Sequence, residues 1–483
     1  MKRFFVHLLL MLLTSLVSYA SHSVYYDGLY FEYSTEGDQL SVQGDFLSPE
    51  NHYSGNIVIP KEVPTEMGIL PVTMIAEKAF YKSNITSIII PESIAFISDD
   101  AFGECSRLTK VIFGDGLLSI GYRAFRGCPL LEEVILPESV KIIENQAFED
   151  CISLKTVNLP SFINEISYDL PGLGQSCFKN CTKLVDIKLP DGMLSITESL
   201  FENCISLKKI EIPNSVGYIK WRAFYNSGIE EIVIPGSVQR IYWEAFLECK
   251  NLNTVIIEEG ESVGQYSDLN LVSDWGCDYF FDDSIKKLYV GKGLVTDRYE
   301  LACPFKGLSN VTDFELGSKV HTIEEHQFEG MTSLQKLVIP AEIEYIRGYA
   351  FDGFGEGGSK SIECMGLKGA SLTPSAFSDA CYSQCELIVP QGAEYFYKNA
   401  FGWEKFMRQT TDLISIIEDN MSIVVEGLNI RVSSPYPVKA AIYMLDGTLI
   451  SDSDNGYLVA PTHGVFILIV KTVVKEKITK IYL

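Results

Sequence analysis

The sequence predicts a β-rich repeat solenoid, built from short strands with a period of about 23 residues and followed by a small C-terminal β-sandwich. From residue 124 to 160, positions recur 23 residues later, as Phe125 does at Phe148 and Cys128 at Cys151. A period in the twenties around an L-x-x-V-x-L core is typical of leucine-rich repeats. A length of 483 residues exceeds what one compact core usually holds and agrees with a repeat array.

Composition narrows the class of protein. Hydrophobic residues make up 47% of the chain, as in folded proteins. Lys and Arg number 39 and Asp and Glu 63, which gives a net charge of −24. Because phosphate binding requires a basic face, this charge argues against a nucleic-acid partner, and it equally disfavours an anionic membrane surface.

The first residues predict export. Lys2 and Arg3 precede an apolar run from Phe4 to Val17, and Ser18 and Ala20 supply small residues at the two positions that a signal peptidase inspects. The run is too short for a comfortable transmembrane helix, and no other stretch is apolar for long enough. We therefore interpret residues 1–20 as a signal peptide and expect no transmembrane segment.

Residues 21–75 precede the repeats and alternate apolar and polar side chains, as in YYDGLYFEY (25–33) and GNIVIP (55–60). This alternation is typical of strands. Because a solenoid exposes its core at each end, we expect this segment to be an N-terminal β cap.

The repeats are expected to fill residues 76–390. In each one, L-x-x-V-x-I predicts a strand with Val and Ile facing inward, a Pro ends its pairing, and S-V-x-x-I turns the chain back. A Phe then forms a wedge between layers. The expected wedge residues are Phe80, Phe102, Phe125, Phe148, Phe178, Phe201, Phe224, Phe246, Phe280, Phe305, Phe328, Phe351 and Phe377.

Opposite charges on neighbouring strands support this register, at about 0.2–1 kcal/mol for each pair. The expected pairs are Lys110 with Glu133, Glu132 with Lys155, and Lys209 with Asp186 and Glu231. Two interruptions are expected to protrude as loops: DLPGLGQ (169–175), and residues 258–308, which are rich in Asp, Ser, Gly and aromatic residues.

The end of the chain predicts two further segments. Residues 391–411 are expected to form a helical C-terminal cap, because apolar residues recur there at helical spacing, namely Tyr395, Ala400, Trp403, Phe406 and Met407. Such a stripe is more often core than cofactor pocket. Residues 412–483 contain six or seven strand-like runs separated by turns, and these predict the small β-sandwich.

Six of the twelve cysteines lie three residues after a repeat Phe: Cys105, Cys128, Cys151, Cys181, Cys204 and Cys249. Other repeats fill this position with Ser83, Ser227, Met331 and Phe354. A position that accepts such different residues is a packing position, so we expect buried free thiols. The alternatives are a disulfide between neighbouring repeats, or a local one such as Cys177 with Cys181 or Cys381 with Cys385.

The repeat I/V-P-x-S-V-x-x-I-x-x-x-A-F-x-x-C-x-x-L resembles the BspA-type leucine-rich-repeat family of bacterial surface proteins, over about residues 21–410. LPVTMIAEKAF (70–80) and VPQGAEYFYKNAFGWEKF (389–406) resemble that family's flanking segments. The resemblance implies a non-catalytic surface protein of a kind often discussed as an adhesin, with partners that vary within the family.

The C-terminal segment resembles the sorting domain of the type IX (Por) secretion system, through VKAAIYMLDGTLI, the strand at Gly464 to Phe466 and the terminal KITKIYL. This resemblance implies recognition by outer-membrane export machinery, and hence a secreted, cell-surface or outer-membrane-associated protein of a Gram-negative bacterium. The alternative is a structural β-domain without a sorting role.

Catalytic motifs are missing from the sequence, which contains no G-x-S-x-G elbow, phosphate loop or G-x-G-x-x-G. His321 and His326 do not have the i, i+4 spacing of a zinc protease. The pairs Asp99-Asp100 and Asp282-Asp283 are interpreted as solvated acidic loops, with a weak Ca²⁺ site as the alternative. We therefore expect no enzyme, cofactor or metal; a catalytic alternative requires a polar pocket in residues 258–308.

Two surfaces are candidate partner-binding sites. Trp221 and Trp243 each lie three residues before a repeat Phe and should occupy adjacent layers, with Tyr218 and Tyr242 nearby. Exposed stacked aromatic rings suit protein hot spots or sugar rings, and packing between layers is the structural alternative. The second surface is an outward column of strand residues with two apolar ends, one at Ile89, Ile112 and Ile135 and the other at Val233, Ile256 and Val338. Its alternative is the general preference of strands for β-branched residues.

These observations predict an exported surface protein that binds a protein or glycan and has no chemistry of its own. A structural surface-layer component that associates with copies of itself is the alternative.

Overall fold

The computed structural model describes residues 23–44, 53–161, 163, 172–260, 268–272, 280–296, 305–406, 410–412, 422–426, 429–433, 438–443, 449–453, 457–459, 465–472 and 476–482. The expected signal peptide and the first half of the 169–175 loop lie outside these residues. The chain divides into two compact units. The first comprises Met1–Ile362 and Gly369–Cys385, and the second Glu363–Lys368 and Glu386–Leu483.

The first unit begins with an antiparallel hairpin of Ser23–Tyr26 and Leu29–Tyr33. Its turn residues Asp27 and Gly28 have φ angles of 48° and 83°. Positive φ at both central residues is what a two-residue type I′ turn requires. Leu29–Tyr33 pairs in turn with Leu40–Gln43. The strands that the alternating pattern predicts for this segment are therefore present.

The second half of the expected cap already forms a layer of the solenoid. Its strands are Ser54–Val58, Glu62–Thr65 and Gly68–Ile75. The first pairs in parallel with the repeat strand Asn84–Ile89, and the third with Phe96–Ile97. The Tyr53 ring lies 5.0 Å from the Phe80 ring and so continues the column of wedge residues. The sequence hides this layer because Tyr replaces Phe and no A-F-x-x-C surrounds it.

Most repeats supply a forward strand at the predicted L-x-x-V-x-I segment, but residues 208–212 occupy this position without forming a strand. Forward strands of successive repeats pair in parallel within separate sheets, as Val134 does with Val157 and Val157 with Ile187. Breaks between the sheets follow Lys110–Ile112, Asp186–Ile187 and Asp313–Lys319. The middle residue faces inward and is buried, and its neighbours face outward. The forward strands are Asn84–Ile89, Lys110–Ile112, Glu133–Ile135, Thr156–Asn158, Asp186–Ile187, Glu231–Ile234, Thr254–Ile257, Lys287–Lys292, Asp313–Lys319 and Lys336–Ile339.

A second, return strand occupies the S-V-x-x-I segment, where the sequence predicted only a turn. Ser119 pairs in parallel with Phe96 on one side and with Ile142 on the other. Most of these strands have two residues, too few for alternation to reveal them. They are Phe96–Ile97, Ser119–Ile120, Ile142–Ile143, Ser195–Ile196, Tyr218–Ile219, Arg240–Tyr242, Leu269–Val272, Leu294–Thr296, Thr322–Ile323, Tyr345–Ile346 and Ser371–Leu372.

The wedge phenylalanines form a continuous stack in the interior of the first unit. The ring centroids of Phe102 and Phe125 lie 4.8 Å apart, and those of Phe125 and Phe148 5.3 Å apart, with interplanar angles of 8° and 4°. All three side chains are buried. The predicted alignment of the wedges is confirmed here. Parallel rings at this separation hold the layers at an even spacing.

One predicted wedge residue was wrong. Phe281, rather than Phe280, stacks between Phe246 at 5.2 Å and Phe305 at 5.5 Å. Phe280 is buried as well and precedes the wedge, at the position that Ala245 holds one layer earlier. Two adjacent Phe residues after an irregular segment made the sequence register ambiguous by one residue.

The turn around each wedge from Phe80 to Phe246, and around Phe328 and Phe351, contains two left-handed residues, placed two before and two after the Phe. Around Phe201 these are Ser199, with φ of 52°, and Asn203, with φ of 62°. Asn tolerates this conformation better than most side chains. The Asn203 amide also donates to Asn180 Oδ1 at 2.7 Å and accepts from Asn226 Nδ2 at 2.7 Å. Asn at this position therefore both tolerates the left-handed backbone conformation of the turn and connects three layers.

The repeated cysteines link neighbouring layers without forming disulfides. Cys105 Sγ donates to the carbonyl oxygen of Phe80 at 3.0 Å, and Cys128 Sγ to that of Phe102 at 3.2 Å. Ten cysteines of the described residues are free and buried, in agreement with the expected free thiols. The equivalent bonds are made by Cys151, Cys181, Cys204 and Cys249.

Charge pairs between forward strands form in part as predicted. Lys155 Nζ lies 2.8 Å from Glu132 Oε2, and an unpredicted pair joins Lys208 to Glu230 at 2.8 Å. Within the described residues, no ion pair joins Lys110 to Glu133, or Lys209 to Asp186 or Glu231. The prediction for Lys209 was wrong because residues 208–212 form no strand that pairs with the neighbouring forward strands.

The predicted helical cap is divided in the structure. A helix covers Glu394–Asn399 and a 3₁₀ helix covers Trp403–Phe406. Ala400 leaves the helical conformation with ψ of 131°, and Gly402 has φ of 83°. The sequence expectation of a single helix was therefore wrong. A further short helix, Asp379–Gln384, belongs to the first unit.

The predicted apolar stripe of this cap is also only partly correct. Trp403 and Phe406 are buried, but Tyr395 is exposed and Tyr397 is buried in its place. The break after Asn399 changes which side chains share a face, because the helical period no longer continues through it.

The remaining strands of the second unit pair in separate sheets. Cys385–Val389, whose first residue belongs to the first unit, pairs in parallel with Thr410–Asp412 through Leu387, Ile388 and Val389. An antiparallel sheet contains Ser422–Glu426, Asn429–Ser433 and Tyr457–Val459. Another contains Leu449–Ser453, Val438–Tyr443, Val465–Thr472 and Glu476–Tyr482. The strand Lys360–Cys364 spans the division between the two units. The packing of the two antiparallel sheets as a sandwich stays a prediction.

Candidate functional site

The predicted aromatic residues lie in two adjacent repeats of the first unit. Their return strands pair in parallel, with Tyr218 opposite Arg240 and Ile219 opposite Ile241. The wedges Phe224 and Phe246 of these repeats stack at 5.2 Å. Because the layers are this close, side chains at equivalent positions in the two repeats come into contact.

We define the aromatic patch as Tyr218, Trp221, Tyr242 and Trp243. The rings of Trp221 and Trp243 lie 5.3 Å apart, inclined at 44°. All four side chains are half-buried. Each ring thus packs partly against its neighbours and keeps part of its surface in solvent.

Lys220 connects the two tyrosines of the patch. Its Nζ lies 5.2 Å from the Tyr218 ring centroid and 4.9 Å from the Tyr242 centroid. A cation over an aromatic face contributes about 0.5–1 kcal/mol at exposed sites. Sequence reasoning missed Lys220, although its position between Tyr218 and Trp221 was visible.

Arg222 fixes the tryptophan side of the patch. Its guanidinium carbon lies 4.6 Å from the Trp221 ring centroid and 4.7 Å from the Tyr225 centroid, and its Nε forms an ion pair with Glu244. A planar guanidinium suits both the aromatic faces and the carboxylate. The orientation of Trp221 is therefore set before any partner arrives.

The indole N–H of Trp221 is buried and has no hydrogen-bond partner among the described residues. A buried indole N–H normally has a partner, and leaving it without one costs about 1–3 kcal/mol. The patch therefore contains a buried polar group that the described residues leave without a partner.

A pair of carboxylates lies one layer before Trp221. Glu198 holds the position equivalent to Trp221, and burial, followed by the charge of Glu202, raises the pKa of Glu198. Glu202 is itself buried; its Oε1 lies 3.0 Å from Lys179 Nζ, and its Oε2 has no partner among the described residues. Aromatic faces and carboxylates in adjacent layers combine apolar and hydrogen-bonding surface.

The apolar column lies on the forward strands. Ile89, Ile112 and Ile135 are 41%, 42% and 56% exposed. Val58 pairs with Ile89, and Ile89 with Ile112, so the column begins one layer earlier than the sequence indicated. Ile135 is paired with Asn158, where the column becomes polar.

The two acidic pairs have structural roles. Asp99 Oδ1 accepts from the backbone N–H of Tyr122 at 3.0 Å. Asp283 accepts from the hydroxyl of Ser309 at 2.6 Å and from the backbone N–H of Asn310 at 3.1 Å. Across the residues that the structure describes, no group of three or more His, Cys, Asp or Glu is arranged to hold a metal ion.

The 258–308 region, where a catalytic site was the alternative, is described at 258–260, 268–272, 280–296 and 305–308. Its buried cation, Lys292, donates to the carbonyl oxygens of Gly236 at 2.9 Å and Val238 at 2.5 Å. Burial lowers the pKa of Lys292 to about 8, against the opposing charge of Asp268. These contacts fasten the irregular segment to an earlier repeat, which is a structural role.

Parallel strands in successive repeats, a stack of wedge phenylalanines and thiols bonded to the preceding layer define a leucine-rich-repeat solenoid. The chain belongs to the family described as BspA type leucine rich repeat region (6 copies), which matches residues 73–170, 172–269 and 302–417. This match covers more than half of the chain and indicates no catalytic family.

Several solved structures are similar to the chain. A leucine-rich repeat protein from Bacteroides ovatus ATCC 8483 is 23% identical, with 81% of this chain and 99% of that chain covered and a TM-score of 0.46. A leucine rich cell surface protein from Faecalibacterium prausnitzii A2-165 is 22% identical, with coverage of 79% and 98% and a TM-score of 0.39. The T. pallidum leucine rich repeat protein is 23% identical, with coverage of 48% and 91% and a TM-score of 0.36.

No curated protein matches the sequence. The helices that the structure describes are all too short or too polar to cross a membrane.

Proposed function

We propose that this protein is an exported bacterial surface protein that binds a protein or glycan partner without catalysis, through the aromatic patch. The observation that carries the proposal is the pair Trp221 and Trp243, held 5.3 Å apart on adjacent layers with part of each ring in solvent. Rings fixed in this way lose little conformational entropy on binding, which is why Trp and Tyr dominate binding hot spots.

The surroundings of the patch support a polar partner with apolar faces. Sugar rings stack on aromatic side chains, and their hydroxyls pair with acceptors and donors such as Glu198 and Lys220. A protein side chain uses the same groups. The buried N–H of Trp221 adds one donor that favours an occupant carrying an acceptor.

The test compares the mature chain with its Trp221→Ala, Trp243→Ala double variant on a glycan array and in pull-downs from candidate host proteins. Tyr122→Ala is the matched control, because Tyr122 also lies three residues before a wedge and carries Arg123 at 4.6 Å from its ring, yet has no second aromatic neighbour in its column. We expect the double variant to lose binding at least tenfold and the control to retain it. Unchanged binding together with a lowered unfolding temperature would show that the rings serve packing only.

Export to the cell surface is the second part of the proposal. Residues 1–20 read as a signal peptide, and residues 412–483 resemble a type IX sorting domain. Deleting 412–483 should leave the protein in the periplasm if that domain is read by outer-membrane machinery. Normal surface display of the truncated chain would assign the domain a purely structural role.

Self-association into a surface layer is the second candidate function, and the exposed column of Ile89, Ile112 and Ile135 favours it. Ile112→Lys should then convert an oligomer into a monomer in sedimentation velocity experiments. A wild-type chain that sediments as a monomer at high concentration argues against this candidate.

A further inference from the structure

Two buried cysteines lie in direct contact near the end of the first unit. Cys381 belongs to the helix Asp379–Gln384, and Cys385 begins the strand Cys385–Val389 that follows it. The backbone N–H of Cys385 donates to the carbonyl oxygen of Cys381, which holds the two residues one helical turn apart. Their Sγ atoms are 3.5 Å apart, and the Cys381 thiol donates to Cys385 Sγ. We name this pair the contact dithiol.

The four-residue spacing alone does not produce this contact. Cys177 and Cys181 are also four residues apart, and both are buried. The Cys181 thiol instead donates to the carbonyl oxygen of Phe148 at 3.3 Å, and no hydrogen bond joins its sulfur to that of Cys177 within the described residues. The contact dithiol therefore owes its geometry to the end of the short helix and the start of the strand.

A buried lysine lies beside the contact dithiol. Lys360 is the first residue of the strand Lys360–Cys364, which neighbours Cys385–Val389 in one sheet. The Lys360 side chain is buried, and its Nζ donates to the carbonyl oxygen of Thr332 at 2.6 Å. An ammonium group in the interior is costly unless an opposite charge accompanies it. A thiolate at Cys385, the first residue of the neighbouring strand, supplies that charge.

The charges of this cluster favour the thiolate at Cys385. The hydrogen bond from Cys381 lowers the pKa of Cys385, and the ammonium group of Lys360 lowers it further, against the opposing effect of burial. The same hydrogen bond, together with burial, raises the pKa of Cys381. The thiolate, and not the thiol, is the nucleophile in disulfide exchange. The pair thus divides into an attacking Cys385 and a resolving Cys381.

We propose that Cys381 and Cys385 form a thiol–disulfide exchange site, which a disulfide-containing oxidant converts to an intramolecular disulfide in the mature protein. The Cys385 thiolate attacks one sulfur of the oxidant R–S–S–R and releases R–S⁻, which leaves a mixed disulfide. Cys381 then loses its proton and displaces the second R–S⁻ from Cys385 Sγ. The protein gives up two electrons and two thiol protons, and the oxidant becomes two thiols R–SH.

The local structure permits both steps. A disulfide holds its sulfurs about 2.05 Å apart, so the two Sγ atoms have to approach by about 1.5 Å from their separation of 3.5 Å. The helix that carries Cys381 has six residues, and helices this short are only marginally stable on their own. Its opening exposes the buried thiols to the oxidant, while Cys385 stays on the strand next to that of Lys360.

The cellular compartment decides whether the oxidant is present. Disulfides form in secreted and periplasmic proteins, whereas the cytosol keeps thiols reduced. Formation of the bond in cells therefore rests on the proposed export of the chain. The exchange step itself does not, because it depends only on the geometry of the contact dithiol.

The test uses the full mature chain, reduced and then equilibrated with oxidised glutathione. Free thiols are alkylated after denaturation, and mass spectrometry of proteolytic peptides measures the labelling of each cysteine. We expect labelling of Cys381 and Cys385 to fall at least tenfold, with a disulfide between them, and the matched pair Cys177 and Cys181 to stay labelled. Unchanged labelling of the contact dithiol, an equal loss at the matched pair, or a glutathione adduct that Cys381 does not resolve would each overturn the proposal.

The contribution of Lys360 is measured by the rate of disulfide formation. Lys360→Met removes the ammonium group and keeps a side chain of similar length, and it leaves Asp352 and Glu356, whose charges also act on the cluster, in place. At about pH 7 the variant should react at least tenfold more slowly, and at about pH 10, where ordinary thiols are ionised, the difference should shrink. Equal rates for variant and wild type, or the same deficit at both pH values, would contradict this role.

Recovery of the protein from cells separates this proposal from that of export. Protein from the cell surface should carry the disulfide, and a variant without residues 1–20, retained in the cytosol, should have both thiols reduced. Surface protein with Cys381 and Cys385 reduced would contradict the exchange site. Retention of the full chain in the cytosol would instead contradict export, while formation of the disulfide with oxidised glutathione would still support the exchange site.

Discussion

Cys128 Sγ donates a hydrogen bond to the carbonyl oxygen of Phe102, one layer earlier, at 3.2 Å. The same bond recurs at five other cysteines of the repeats. In these repeats the position holds a small side chain with a donor, whereas Met331 and Phe354 fill it with larger side chains that have none. Ser83 and Ser227 also supply a small side chain with a donor, and both contact the cysteine of the following layer.

Cys128→Ser should change the free energy of unfolding little, because the hydroxyl donates to the same carbonyl. Cys128→Ala removes the donor and leaves that buried carbonyl one partner short, which should cost about 1–2 kcal/mol. Equilibrium unfolding in urea measures both variants. Equal stability of Cys128→Ala and the wild type would show that the hydrogen bond from this position does not stabilise the fold.

Alkaline pH should destabilise the fold. Burial raises the pKa of Cys249 to about 12, and it raises the pKa of Cys177 and Cys204 further. An unfolded thiol titrates near pH 8.5, so the unfolded chain releases protons that the folded chain keeps. The stability from these thiols is complete below about pH 8.5 and declines as pH rises toward 12.

Lys292 acts in the opposite direction, because its folded pKa of about 8 lies below the unfolded value and its contribution grows with pH. The several thiols outweigh this single amine. Unfolding midpoints between pH 8 and 10.5 should therefore fall. Cys249→Ser should make the fall of the unfolding midpoint with pH less steep. Midpoints that stay level or rise would contradict the role of the buried thiols in this pH dependence.

The phenylalanine stack should dominate the energetics of the first unit. Phe125→Ala removes a buried ring that contacts rings above and below it, and should cost about 3–5 kcal/mol. Phe96→Ala is the matched control, because the Phe96 side chain is 48% exposed on a return strand. Denaturant titration followed by circular dichroism measures both. A similar loss in the free energy of unfolding for the two variants would mean that a stacked, buried ring stabilises the fold no more than an exposed one.

Lys292 should be essential to the irregular segment. Lys292→Ala leaves the carbonyl oxygens of Gly236 and Val238 without their donor and should cost about 1–3 kcal/mol. Lys287→Ala removes an exposed pair with Asp313 and should cost at most about 1 kcal/mol. Thermal unfolding compares the two, and an equally mild effect at Lys292 would contradict the role assigned to it.

The repeat period made the interior of the first unit predictable. Phe102, Phe125 and Phe148 align because a fixed spacing returns each wedge to the same place in successive layers. The ion pair of Lys155 with Glu132 followed from the same register. Tyr53 and Phe281 were not predicted as wedge residues. Tyr53 stands where Phe is expected, and Phe281 follows an irregular segment that interrupts the repeat period.

Features that depend on pairing between layers were not visible in the sequence. The segment LKKIEIP at 207–213 has the same pattern as the paired forward strands, yet Ile210 is half-buried and residues 208–212 form no strand. The aromatic residues were identified from position, whereas Lys220 and Arg222 were not, because a cation over a ring is a contact that spacing alone does not reveal.

Each wedge ring and each repeated thiol reaches no further than the adjoining layer. Insertion or removal of one whole 23-residue unit would therefore join two surfaces that already fit, whereas a partial unit would misplace every side chain at the junction. Recombination within the gene can thus lengthen or shorten this protein in steps of one repeat while its architecture survives.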